Sequence, residues 1–130
     1  MDINFFEDPQ EVPRGREDVR FKQIGLFVYE DLRRVAVGLE LTPFLERPCI
    51  DIVVRNSDGV IAGTMVLIET LTPNITLTLH LRDKTPTARY ELTAQIYYDH
   101  PEQKTRQNFH RETVAFEVVA PGEQRFTFAA

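Results

Sequence analysis

The sequence predicts an all-β protein, an antiparallel sandwich of two sheets built from seven to eight strands. Two observations carry this reading. Eight prolines, at positions 9, 13, 43, 48, 73, 86, 101 and 121, cut the 130-residue chain into short segments. Proline breaks helix interiors and cannot donate to a central strand ladder. Most of the segments between them alternate apolar and polar residues with the period of a strand. Such one-sided alternation gives each sheet one buried and one wet face.

The chain has the size of one domain, and folding at this length buries roughly two-thirds of the surface the unfolded chain exposes. A composition of 42% hydrophobic and 27% charged residues is ordinary globular material. Acidic residues outnumber basic ones 20 to 15, for a net charge of −5, and no basic run occurs. Binding to phosphates wants clustered Lys and Arg, so nucleic acid and anionic membrane surfaces are not expected partners. The single cysteine, Cys49, cannot form an internal disulfide. The opening MDINFFEDPQ lacks a basic region followed by an apolar run, and no apolar stretch is long enough to span a bilayer as a helix. A cytoplasmic protein is the expectation.

Residues 1–19 are polar and acidic, with Phe5 and Phe6 as exceptions, and read as an extended N-terminal arm preceding a single domain over 20–130. An ordered lead-in laid along the sandwich edge is the alternative. Residues 20–29 are rich in aromatic and branched side chains and form the first strand. In 33–42, Val35, Val37, Leu39 and Leu41 alternate with Ala36, Gly38 and Glu40. A helical spacing also runs through Leu32, Val35, Ala36 and Leu39, but the valines and Gly38 favour the strand. Residues 49–55 form a third strand with Ile50, Ile52 and Val54 on one face. Asn56-Ser57-Asp58-Gly59 then turns the chain, because Asp-Gly between apolar runs is a strong hairpin signal.

The return strand, within 60–70, is apolar on both faces around Met65-Val66-Leu67-Ile68. Residues 74–82 place Ile75, Leu77, Leu79 and Leu81 inward and Thr76, Thr78, His80 and Arg82 outward. Residues 88–98 place Tyr90, Leu92, Ala94, Ile96 and Tyr98 inward, with Tyr97 in the outward phase. Asp99 to Gln107 reads as a polar loop, 109–119 as another strand, and Arg125-Phe126-Thr127-Phe128 as a short last one.

Residues 79–98 narrow the fold. Leu79 and Leu81 precede a Pro86-Thr87-Ala88 turn, and Tyr90 stands two residues before Leu92. This resembles the immunoglobulin-like or fibronectin type III pattern, in which a tyrosine near the start of strand F bonds back to nearby backbone. The resemblance covers about the last two-thirds of the chain and implies an immunoglobulin-like Greek key. Leu92 stands where antibody-type domains keep a cysteine, and tryptophan is absent. A jelly roll or another Greek-key sandwich is the alternative, and no functional residues carry over.

No catalytic constellation emerges, and an enzyme is not expected. Ser57, the only serine, sits in a turn without the flanking glycines of a nucleophile elbow. Cys49 reads as a small packed hydrophobe or an outer-face residue. Asp99, His100, Glu102 and His110 are the nearest thing to a cluster, but they follow no metal-ligand spacing, so no metal or cofactor is expected. Asp51 and Glu69 read as solvated charges on strands. Asn74-Ile75-Thr76 fits a glycosylation sequon, which matters only in a secreted protein.

What remains is surface. A strand apolar on both sides cannot hide both in a two-layer sandwich. Met65, Val66, Leu67 and Ile68 are therefore the expected interaction surface, unless the N-terminal arm or the RFTF segment covers them. The leading expectation is a non-enzymatic interaction or scaffold domain acting through a sheet edge or apolar face. Its partner would be a protein or a second copy in a homodimer. The alternative is a module binding carbohydrate or calcium. Tyr29, Tyr97 and Tyr98 would stack on sugar, and the Asn56–Gly59 and Asp99–Glu102 loops would hold the cation.

Overall fold

A computed structural model describes residues 12–100, 102 and 105–128. The strands are β1 (Phe21–Val28), β2 (Arg34–Leu41), β3 (Cys49–Asn56), β4 (Ile61–Leu67), β5 (Asn74–His80), β6 (Arg89–His100), β7 (Thr105–Glu117) and β8 (Gly122–Thr127). They form two four-stranded antiparallel sheets, ordered β5-β2-β1-β8 and β4-β3-β6-β7. The chain is an all-β two-sheet sandwich of eight strands.

The alternation read from the sequence becomes the core. Val35, Val37, Leu39 and Leu41 of β2 face Ile50, Ile52 and Val54 of β3 across the sandwich, and all seven are buried. Tyr90, Leu92, Ala94, Ile96 and Tyr98 line the inner face of β6. The β-branched and leucine side chains fit a pleated, half-buried surface, and that fit overrides the helical spacing at Leu32 to Leu39.

The hairpin between β3 and β4 follows its turn chemistry. Asn56 N–H donates to Val60 O, Gly59 N–H donates to Asn56 O, and Gly59 has a φ of 80°. This is a three-residue loop closed by a left-handed glycine, the geometry that lets a type I turn match strand twist. The Asn56 Oδ1 accepts the N–H groups of Asp58 and Val60, which locks the turn.

Two expectations are corrected. The polar loop expected over Asp99 to Gln107 is largely strand: Asp99 and His100 pair with Arg106 and Thr105. Cross-strand pairing tolerates polar residues on a wet face, so polarity alone did not mark the loop. Tyr97 keeps the outward phase expected of it, but it is covered there instead of exposed. A bulge at Phe109 shifts the β6–β7 register here, and the Arg106 guanidinium lies 3.8 Å over the Tyr97 ring.

Residues 1–11 of the expected arm lie outside the described residues. The part that follows is ordered lead-in: Arg14 bridges Phe44, and Arg16–Asp18 form one 3-10 turn. Arg16 grips Glu46 with two nitrogens, at 2.9 and 2.7 Å. No described helix is long and apolar enough to cross a membrane.

Candidate functional site: the uncharged side formed by β4 and β5

The sandwich has two lateral sides where edge strands of opposite sheets meet, and they differ in chemistry. On one side β7 and β8 are the edges. They carry Arg106, Arg111, Glu112, Glu117, Glu123 and Arg125. In β7 His110 keeps the inward phase of Val114 and Phe116, opposite Ile96, where its Nδ1 accepts the Phe21 N–H at 2.9 Å and its Nε2 contacts Glu112 at 3.0 Å. Burial holds the imidazole below its ordinary range, against the upward pull of Glu112. Charged and inward-pointing polar residues are how sheet edges are kept from pairing with other chains.

On the other side β4 and β5 are the edges, and this protection is missing. Between residues 60 and 81 the only formal charge is Glu69, in a chain that is 27% charged. Nine large hydrophobic side chains are exposed among the described residues. Five of them, Val60, Ile61, Val66, Ile68 and Leu71, fall in this stretch. β4 itself carries neither proline nor charge.

The geometry follows from the pleat. Met65 and Leu67 pair with Ile52 and Ile50 and point inward, where they pack against the core half-buried. Val66 pairs with Asp51 on the outer face and is 51% exposed, and Ile68 is 62% exposed. The RFTF segment does not cover them, because it belongs to β8 and pairs with β1 in the opposite sheet. Neither does the described lead-in, which lies against Pro43 to Glu46.

The two edges are joined at one end. Arg82 N–H donates to Ala62 O at 2.7 Å, and a Cβ on Gly63 would come within 3.2 Å of His80 O. At this junction a groove of about 340 Å³ opens between β4 and β5, lined by Thr64, Met65, Thr78 and Leu79 together with His80 and the exposed Arg82. The groove shows partly buried core side chains to solvent beside a free strand edge. An extended segment could add to the ladder and place alternate side chains in the groove.

The other sequence candidates are scattered. Ser57 Oγ donates to Arg89 O within its turn. Cys49 is buried, and its sulfur accepts the Glu69 N–H at 3.4 Å. It therefore packs as the small hydrophobe, buried in the outward phase that it shares with Asp51. Asp51 is half-buried and pairs with Arg106 at 3.2 Å. His80 is exposed on β5. His110 pairs with Ile96 in the ladder, three residues before Asp99, so the structure does not gather Asp99 and His110. The side chain of His100 lies outside the described residues. Among the described residues, no three His, Cys, Asp or Glu side chains meet as a cation site.

Sequence reasoning missed a buried polar knot at the end of the sandwich. The Asp83 carboxylate, fully enclosed, receives Asn56 Nδ2 at 2.8 Å, the Tyr90 hydroxyl at 3.0 Å and Arg33 Nη2 at 3.0 Å. Burial alone would raise its pKa, yet the donors outweigh burial and hold it below the ordinary carboxylate range. Tyr90 also accepts the Thr87 N–H at 3.4 Å, the backbone contact expected of a tyrosine corner. The signal in the sequence is Asp83, two residues after the inward Leu81 and so in the same inward phase. Tyr98, offered as a sugar platform, is also buried; its hydroxyl donates to Glu46 O and is pushed up to about 12 by burial and by the Glu46 charge.

No protein-family model matches this chain, and no curated protein matches it in sequence.

Proposed function

We propose that this protein is a non-enzymatic interaction domain whose working surface is the uncharged side formed by β4 and β5. One observation carries the reading: a free edge strand without charge or proline, flanked by five exposed hydrophobic side chains. The partner is an extended protein segment that adds a strand to β4 and seats alternate apolar side chains in the adjoining groove. A second copy supplies such a segment. Two β4 strands meeting antiparallel across a two-fold axis would fuse their β4-β3-β6-β7 sheets into one and make a homodimer.

The fold reading that accompanies this is an immunoglobulin-like Greek key. The orders β5-β2-β1 and β4-β3-β6-β7 match that layout, with β8 as an added strand on β1.

The test is a display selection of random extended peptides against the immobilised protein. The affinity of the enriched sequences is then measured on three chains: wild type, a Val66→Lys/Ile68→Lys double variant and a Glu123→Lys control on β8. The double variant is expected to weaken binding by roughly tenfold or more, since charges on an edge oppose strand addition. The control should bind as wild type does. Absence of any enriched peptide, or equal binding to the wild type and the double variant, overturns the proposal.

A further inference from the structure

The outer face of the β5-β2-β1-β8 sheet holds a feature that strand chemistry does not require. Gly25 of β1 and Gly38 of β2 are direct cross-strand partners. Glycine inside a strand is costly, because the backbone loses more freedom on folding and no side chain packs. Three structural reasons usually justify it: a positive φ, a bulge, or a neighbour too close for a Cβ. None applies. Neither residue has a positive φ. The one register shift between β1 and β2 lies between Phe21 and Gln23. A Cβ on Gly25 would meet nothing within 4 Å, and one on Gly38 only Gly25 O at 4.0 Å. Glycine in a strand also marks a place where a ligand approaches the backbone.

The surroundings fit that last role. The bare peptide groups floor an open trough of about 430 Å³, within the range of small-molecule sites. At one end stands Phe27, 44% exposed on a face where alternation calls for a polar residue, and steadied by an edge-on contact with Tyr29 at 5.5 Å. Around the rim stand Gln23, Glu40, Asn74, Thr76 and Arg125. The three charged groups lining the trough, Glu40, Glu123 and Arg125, are all paired: Arg125 meets Glu123 at 2.6 Å, and Glu40 meets Lys22 at 3.8 Å. A charged ligand therefore gains no uncompensated counter-charge. A ligand with one apolar face and many hydroxyls gains an aromatic ring, amide and carboxylate partners, and close access to the floor.

We infer that the Gly25–Gly38 trough is a binding site for a neutral saccharide, with Phe27 as the stacking platform. This moves the carbohydrate expectation away from the buried Tyr97 and Tyr98, and it is independent of the β4/β5 surface.

The test follows the glycine amides of the full chain in two-dimensional NMR spectra during titration with maltohexaose, cellohexaose, xylohexaose and mannohexaose. A heparin-derived hexasaccharide serves as the anionic arm. At least one neutral sugar is expected to shift Gly25 and Gly38. Phe27→Ala should weaken it by roughly tenfold or more. Gly25→Thr fills the floor and should abolish binding, while leaving the melting temperature equal or higher, since a branched residue suits an open strand position. That pairing of lost binding with kept stability separates a ligand role from a structural one. The inference is overturned if no neutral sugar shifts these amides, if only the heparin fragment does, or if Gly25→Thr binds like wild type. It is also overturned if Gly25→Thr unfolds the domain, because the glycine is then structural.

Discussion

Replacing Asp83 by Asn tests the claim that a buried acceptor ties the end of the sandwich together. The change is nearly isosteric, so it opens no cavity. It alters the donor–acceptor count. The carboxylate offers two acceptor oxygens to three donors, from Asn56, Tyr90 and Arg33. An amide offers one oxygen, and its NH₂ group must face a donor. At least one buried donor is then orphaned, at a cost of about 1–3 kcal/mol, and the remaining bonds lose their charge assistance. Arg33 is 33% exposed and recovers part of its loss from water, which keeps the sum near the middle of that scale. The expected destabilisation at neutral pH is about 2 kcal/mol, or a melting temperature lower by roughly 8 °C.

The same carboxyl sets a pH signature. Its folded pKa is depressed, so its stabilisation is fully present above the unfolded value, near 3.8, and is lost as pH falls through the folded value. Urea unfolding of wild type and Asp83→Asn should therefore show a wide gap at neutral pH that narrows in acid below that value. A gap under about 0.5 kcal/mol at neutral pH, the usual range of an unremarkable surface change, would refute the reasoning. So would a gap that stays constant into acid.

Three further outcomes follow. His110 is held below its ordinary value by burial, so the unfolded chain takes up a proton first. Stability should be full above about pH 6.5 and decline as pH falls below it. A His110→Gln variant should lack that decline in thermal melts. Cys49 is buried and should react with a thiol reagent only as fast as the native chain opens, so adding denaturant should speed labelling sharply. The Val66→Lys/Ile68→Lys variant should unfold within about 0.5 kcal/mol of wild type, because both side chains are already exposed. In light scattering, wild type should form a reversible dimer at high concentration and the variant should stay monomeric.

The strands and most of the core were legible because a period of two, punctuated by proline and Asp-Gly, is enforced by burial on one face. Val35 to Leu41 and Tyr90 to Tyr98 show it directly. The bulge at Phe109 was not legible, since one inserted residue leaves local composition unchanged while reversing which side chains point inward. His110 keeps the phase of Val114 and Phe116, and the reversal falls on the residues before Phe109, from Asn108 opposite Tyr97 onward. The exposed apolar stretch at Met65 to Ile68 was legible because four consecutive hydrophobic residues exceed what one strand face can hide. The side of the sandwich it belongs to was not, because β4 and β5 are brought together by sheet order. The Asp83 knot joins residues up to 50 positions apart, and no local pattern announces such a meeting.

The central claim is that β4 is an open edge awaiting a strand. Residue-level amide hydrogen exchange on the protein, alone and saturated with the tightest display-selected peptide, addresses it most directly. Strand addition predicts that amides of Ile61–Leu67 facing the free edge exchange quickly alone and become strongly protected in the complex. Those of β7 and β8 should be unchanged. Protection that appears on β7 or β8 instead, or β4 amides already as protected alone as those of the central β3, would contradict it.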